Sequence, residues 1–190
     1  MDLRELLRDY QPQGKHEAAM VSRLRAFLAS ATDETPFARD LAGTQPEWGH
    51  VTGSAWIINS SGTQTVLVHH AKLGKWVQPG GHCDGECDVL EVALREAREE
   101  TGLDVTPIHT AIFDVDVHHI PEYWNTPEHF HYDVRFLLVS DDASTPVVSN
   151  ESRAVRWVAL DEALALNAEA SIERLITKTR RLNLHDLHAR

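Results

Sequence analysis

The 190-residue sequence predicts an α/β (α+β) fold in which a mixed β-sheet is sandwiched between helices, preceded by a helical extension. Three observations carry this prediction. β-Branched-rich runs alternate with helical patterns from about His50 onward. A glycine-rich loop leads directly into an acid-rich periodic segment. The residues before about position 45 carry helical spacing alone. The expected division is therefore a helical extension over 1–45 and a single main domain over 46–190.

In the extension, Leu3, Leu6 and Leu7 recur at helical spacing, as do Met20, Val21, Leu24, Phe27 and Leu28 after a break at Gln11-Pro12-Gln13-Gly14. Val51 to Asn59 and Thr65 to His70, separated by Ser60-Ser61-Gly62, predict a hairpin. A turn-rich loop, Gly74-Lys75-Trp76-Val77-Gln78-Pro79-Gly80-Gly81, follows. The next helix is predicted from about Asp88 to Thr101, with Asp88 and Glu91 spaced as a capping box and Gly102 placed as a C-terminal stop. Further strands are expected around Thr110 to His118, His131 to Ser140 and Arg153 to Leu160. In the first, Phe113, Val115 and Val117 alternate with Asp114, Asp116 and His118, the pattern of a strand with one polar face. Ser171 to Leu184 predicts the last helix.

The formal charge of −11, from 29 acidic and 18 basic residues, argues against a nucleic-acid polymer as partner, and no basic stripe offsets it. No apolar run is long enough to span a membrane, and the first residues lack the layout of a secretory signal; a cytoplasmic protein is the default expectation. Cys83 and Cys87 alone cannot form a disulfide scaffold and read as reduced thiols. Monomer and homodimer are both open.

Chemistry concentrates on the predicted helix. Glu96, Glu99 and Glu100 fall at i, i+3 and i+4, so three carboxylates share one face. Left alone they repel; a hard divalent cation with a preference for oxygen ligands turns the repulsion into a binding site. The ordinary alternative is a solvated face laced by the Glu91–Arg95 and Arg95–Glu99 pairs. The upstream Gln78-Pro79-Gly80-Gly81-His82 favours the metal reading, because paired glycines admit close backbone approach to a ligand.

Gly81 together with Arg95-Glu96-Ala97-Arg98-Glu99-Glu100-Thr101-Gly102-Leu103 resembles the signature of Nudix hydrolases, G-x5-E-x7-R-E-U-x-E-E-x-G-U with U aliphatic. The likeness extends from about His50 to Leu166, including Arg156-Trp157-Val158-Ala159-Leu160-Asp161-Glu162 as a closing strand. The resemblance implies a Nudix-like α/β/α sandwich and a pyrophosphohydrolase that splits the diphosphate of a nucleoside diphosphate linked to another moiety, with Mg2+ or Mn2+. It implies that Glu96, Glu99 and Glu100 hold the metal, aided by a backbone carbonyl near Gly80 or Gly81, and that Arg95 orients the glutamates. Glu99 and Glu100 are then catalytic as well as ligating. The general base is Glu100 or, from a loop, Glu151, with Glu122 and Glu128 behind it. One position departs from the signature: Cys87 stands where a glutamate is expected, and Glu86, one residue early, is the expected substitute partner of Arg95.

His129 and His131 share one strand face with Asp133 and are candidates for substrate contact or for an additional metal; half-buried strand histidines are the ordinary alternative. Lys75 is a candidate phosphate contact, and Tyr123, Trp124 and Phe130 are candidates for stacking on a base. Two other functions share the resemblance. An enzyme like isopentenyl diphosphate isomerase would use Cys83, with Trp76 and His82 echoing its loop. A non-catalytic ligand sensor would tend to lose the box glutamates that are retained here. Among the family's substrates the box does not choose: nucleoside triphosphates, nucleotide sugars, ADP-ribose and dinucleoside polyphosphates all stay open.

Overall fold

The structure, a computed structural model, describes residues 1–31, 35–38, 48–122, 126–141 and 143–182; Tyr123 and Trp124 lie outside them. The helices are α1 (Leu3–Asp9), α2 (Gly14–Ser30), α3 (Val89–Thr101), α4 (Leu160–Leu166) and α5 (Ala170–Arg180). The strands are β1 (Gly49–Asn59), β2 (Gln64–His70), β3 (Trp76–Val77), β4 (Gly80–His82), β5 (Thr106–Pro107), β6 (Asp114–Ile120), β7 (His129–Ser140) and β8 (Ser152–Ala159). The chain divides into two compact units, and β1, β4, α3 and β7 each contribute residues to both.

The first unit comprises Met1–Ser54, Gly81–Ala93 and Ala111–Phe136. Here α2 buries Val21, Leu24 and Leu28 and packs on β6. Phe27 stacks on Tyr132 with ring centroids 4.2 Å apart. The Tyr10 hydroxyl shares its one proton between Glu17 and the Phe113 carbonyl, 3.1 Å away, and the fully buried Glu17 carboxylate also accepts from the Val115 N–H. The N-terminal helices are thus tied to the strands by buried polar bonds as well as by leucines. β6 pairs antiparallel with β7, setting Asp114 opposite Arg135, Asp116 opposite Asp133 and His118 opposite His131. Asp114 and Asp116 are buried, so the polar face expected of this strand is not turned to solvent. A Cβ on Gly53 would lie 2.9 Å from the Val89 carbonyl oxygen and 3.0 Å from Val92, so only glycine lets β1 pass this close to the start of α3.

The second unit comprises Ala55–Gly80, Leu94–Thr110 and Leu137–Arg190. β2 pairs antiparallel with β1 (Ile58 opposite Thr65), with β3 (Val68 opposite Val77) and with β8 from Gln64–Ala159 to His70–Ser152, with an irregularity between His69 and His70. β5 pairs with β7 through Thr106–Val139 and Pro107–Leu138. The fully buried Trp56 donates its indole N–H to Thr179 at 2.8 Å, and α5 adds Ile172, Leu175 and Ile176 to the core. Three differences from expectation stand out. The last helix begins and ends earlier than Ser171 to Leu184, α4 occupies a segment for which no element is expected, and β3, β4 and β5 are too short to leave a periodic trace. No helix among the described residues is long and apolar enough to cross a membrane.

Candidate active site

The candidate site grows out of α3. Asp88 precedes the helix, and its carboxylate accepts from the Glu91 N–H at 3.4 Å. The helix ends at Gly102, whose φ of +67° suits glycine and whose N–H donates to the Arg98 carbonyl at 2.8 Å. Glu86 accepts from the Asp88 N–H at 2.8 Å, so its carboxylate serves the turn before the helix, while Arg95 donates to Glu96 at 2.8 Å.

The three glutamates differ in environment. Glu99 is exposed, Glu96 is half-buried and Glu100 retains only 6% of its exposure. Glu100 Oε2 accepts the Gly80 N–H at 2.9 Å, so the glycine loop fastens to the buried end of the carboxylate row. Burial raises the Glu100 pKa to about 7; the Gly80 bond opposes the rise, and the charges of Glu96, Glu151 and Glu99 add to it. Burial likewise raises Glu96, with Arg95 opposing and Glu99 and Glu151 adding. Glu151, exposed in the turn before β8, is therefore brought within electrostatic reach of the helix glutamates. Glu96, Glu99 and Glu100 share one helix, Glu151 acts on Glu96 and Glu100 electrostatically, and burial raises the proton affinity of two of the four; carboxylate oxygens are the donors that a hard divalent cation prefers.

The other expected site residues fall elsewhere. Lys75, largely exposed, is ion-paired with Glu169 at 2.8 Å. Glu128 lies beside His119 at 3.2 Å. Gly81 begins the first unit's share of β4. His129 and His131 join His50 of β1 and His82 of β4 in the first unit, with ring centroids 4.7–5.1 Å apart for His50–His131, His82–His131 and His129–His131. Their strand is anchored by Asp133, which accepts from Thr52 (3.0 Å), Ser54 (2.7 Å) and Arg135 (2.7 Å). Arg135, 1% exposed, also donates to Asp114 and to His118 Nε2.

This buried network went unread in the sequence, although a signal was there. His50, Thr52 and Ser54 recur every second residue, the same step as His129, His131 and Asp133, and strands with such polar faces bury them only against each other.

The model of the NUDIX domain matches residues 49–179. The asymmetrical bis(5'-nucleosyl)-tetraphosphatase of Sus scrofa is 36% identical over 103 residues, which cover 52% of this chain and 62% of that protein. Phosphatase NudJ of Escherichia coli O1:K1 / APEC is 30% identical over 120 residues, 60% of this chain and 71% of that protein. The m7GpppN-mRNA hydrolase NUDT17 of Homo sapiens is 28% identical, over 61% of this chain but only 40% of its own length. This chain thus spans less than two thirds of the human and pig relatives. Among solved structures, the C. elegans Ap4A hydrolase superposes with a TM-score of 0.56 at 19% identity, covering 68% of this chain and 94% of that one. The E. coli dihydroneopterin triphosphate pyrophosphohydrolase gives 0.52 at 13% identity, covering 70% and 96%. These likenesses establish the α/β fold with its mixed sheet, and the match across 49–179 establishes the family: the chain belongs to the NUDIX family.

Proposed function

We propose that this chain is a metal-dependent pyrophosphohydrolase that uses water to split the diphosphate of a nucleoside diphosphate linked to another moiety. The observation that carries the reading is Glu100, buried on the helix that also bears Glu96 and Glu99, bonded to the Gly80 N–H, and with its pKa raised to about 7 by burial and by the charges of Glu96, Glu151 and Glu99. A buried carboxylate among like charges is costly without a compensating cation. The donor set fits Mg2+ or Mn2+, which when bound would polarise phosphate oxygens and lower the pKa of a bound water.

The chain's own residues do the rest. Glu96, Glu99 and Glu100 hold the cation, with a backbone carbonyl near Gly80 as a further ligand. Arg95 fixes Glu96 through its 2.8 Å bond, and the Gly80 N–H fixes one oxygen of Glu100. Glu151, exposed and outside the helix, takes the proton of the attacking water, with Glu100 as the alternative base. Lys75 contacts a phosphate after leaving Glu169, and His129 and His131 contact substrate. The likeness to a bis(5'-nucleosyl)-tetraphosphatase supports a small nucleotide polyphosphate as the partner. The charge of −11 weighs against a long RNA and against an anionic membrane surface. The remaining proposals are a 1–45 extension on a 46–190 domain, a cytoplasmic location and a homodimer. Cys83 is buried, which disfavours the isomerase alternative, since its thiol would have to meet substrate.

The test is turnover of a panel of nucleoside triphosphates, nucleotide sugars, ADP-ribose and dinucleoside polyphosphates with Mg2+ or Mn2+. Turnover is expected to vanish in EDTA and in Glu99→Gln/Glu100→Gln. Full metal-dependent turnover by that double variant sinks the reading, and binding without turnover points to a ligand sensor.

A further inference from the structure

Glutamates account for one cation; the first unit contains a second donor set of different chemistry. His50, His82 and His131, on β1, β4 and β7, each present a ring nitrogen, and these three atoms all lie within 4.8 Å of one another. Atoms no more than 4.8 Å apart share a centre within about 2.8 Å of each, against roughly 2.0–2.1 Å for a zinc–imidazole bond. Side-chain shifts of under about 1 Å would therefore close the site. We propose that His50, His82 and His131 bind one divalent cation of the zinc class, through imidazoles and independently of the helix glutamates, with the fourth position left to water or substrate.

Imidazole is a ligand for zinc-class ions and a poor one for Mg2+. His129 stands beside this set: its Nε2 lies 3.2 Å from His131 Nε2, and its Nδ1 lies 2.9 Å from the Pro127 carbonyl. A ring held by a neighbour of this kind is the usual surrounding of a ligating histidine. Behind His131 the same strand is held by Asp133 against Thr52, Ser54 and Arg135, so the ring sits on a rigid base.

Untagged protein stripped with chelator and dialysed is titrated with Zn2+ by calorimetry and with Co2+ by visible absorption. The expected result is one equivalent of Zn2+, a tetrahedral Co2+ band and a rise in Tm. All three persist in Glu96→Gln/Glu99→Gln/Glu100→Gln and disappear in His131→Ala and in His82→Ala. His82 is only half-buried, and its variant is expected to melt like the wild type in EDTA, so loss of zinc there is not loss of folding. The proposal is overturned if the wild type binds no Zn2+, if both histidine variants bind it undiminished, or if the glutamate variant loses it.

Discussion

Replacing Glu100 by glutamine should stabilise the metal-free protein at alkaline pH and do nothing for it at acid pH. The Glu100 pKa of about 7 in the fold lies above its ordinary 4.5, because burial disfavours the charge and Glu96, Glu151 and Glu99 repel it. The native chain therefore holds a proton that the unfolded chain releases between these values. The stability contributed by that proton is fully present below pH 4.5 and is lost as pH climbs through about 7. At ~1.4 kcal/mol per tenfold change in proton affinity, the loss amounts to about 3 kcal/mol. Glutamine stays neutral at every pH, and its amide oxygen accepts the Gly80 N–H as the carboxylate does. For a chain of this size about 1 kcal/mol moves Tm by roughly 2–4 °C. Calorimetric melts in EDTA are expected to coincide for wild type and Glu100→Gln near ~pH 4.5, and to separate by several degrees in favour of glutamine near ~pH 8.5. Added Mg2+ should raise the wild-type Tm at the higher pH and leave the variant nearly unmoved. A variant that melts lower than wild type at both pH values refutes the reasoning, since Glu100 would then be stabilised as an anion by something other than a cation.

Arg135→Met leaves Asp114, Asp116 and Asp133 buried without their shared guanidinium and should cost about 3–5 kcal/mol in urea unfolding. Gly102→Ala forces a left-handed φ of +67° on alanine and sets its Cβ 3.1 Å from Val147, so a loss of about 1–2 kcal/mol is expected by the same assay. Glu151→Gln removes a charge that raises both Glu96 and Glu100, so the Glu100 titration followed by NMR should move to lower pH. If Glu151 is the base, turnover in that variant falls by roughly 10²–10⁴-fold; a loss below about tenfold assigns the base to Glu100.

The carboxylate row was legible because one helix carries it. Positions 96, 99 and 100 are neighbours on any α-helix, and Asp88 and Gly102 mark where this one starts and stops. The hairpin and the alternating strand were legible for the same local reason. What could not be read was any property that depends on which strand lies beside which. Asp114 and Asp116 have the spacing of a solvent face, and only the register that sets them opposite Arg135 and Asp133 makes their burial affordable. His50 and His82 are each unremarkable in their own strands and become a ligand set only when β1, β4 and β7 converge. The bond from the Asp88 N–H to Glu86 belongs to the turn before the helix, where no periodic pattern announces it.

The two clusters separate by the physics of their donors, which makes them independently addressable. Carboxylate oxygens are hard, and their row carries charge that a small, strongly hydrated cation offsets while keeping several waters. The imidazoles carry no charge to offset; they offer lone pairs of intermediate softness, for which Zn2+ outcompetes Mg2+ by bond strength rather than by charge. Competition would read the two sites apart without a single substitution: a large excess of Mg2+ should leave Zn2+ uptake by the imidazoles undiminished, whereas displacement of Zn2+ by Mg2+ would mean that both ions compete for the same carboxylates.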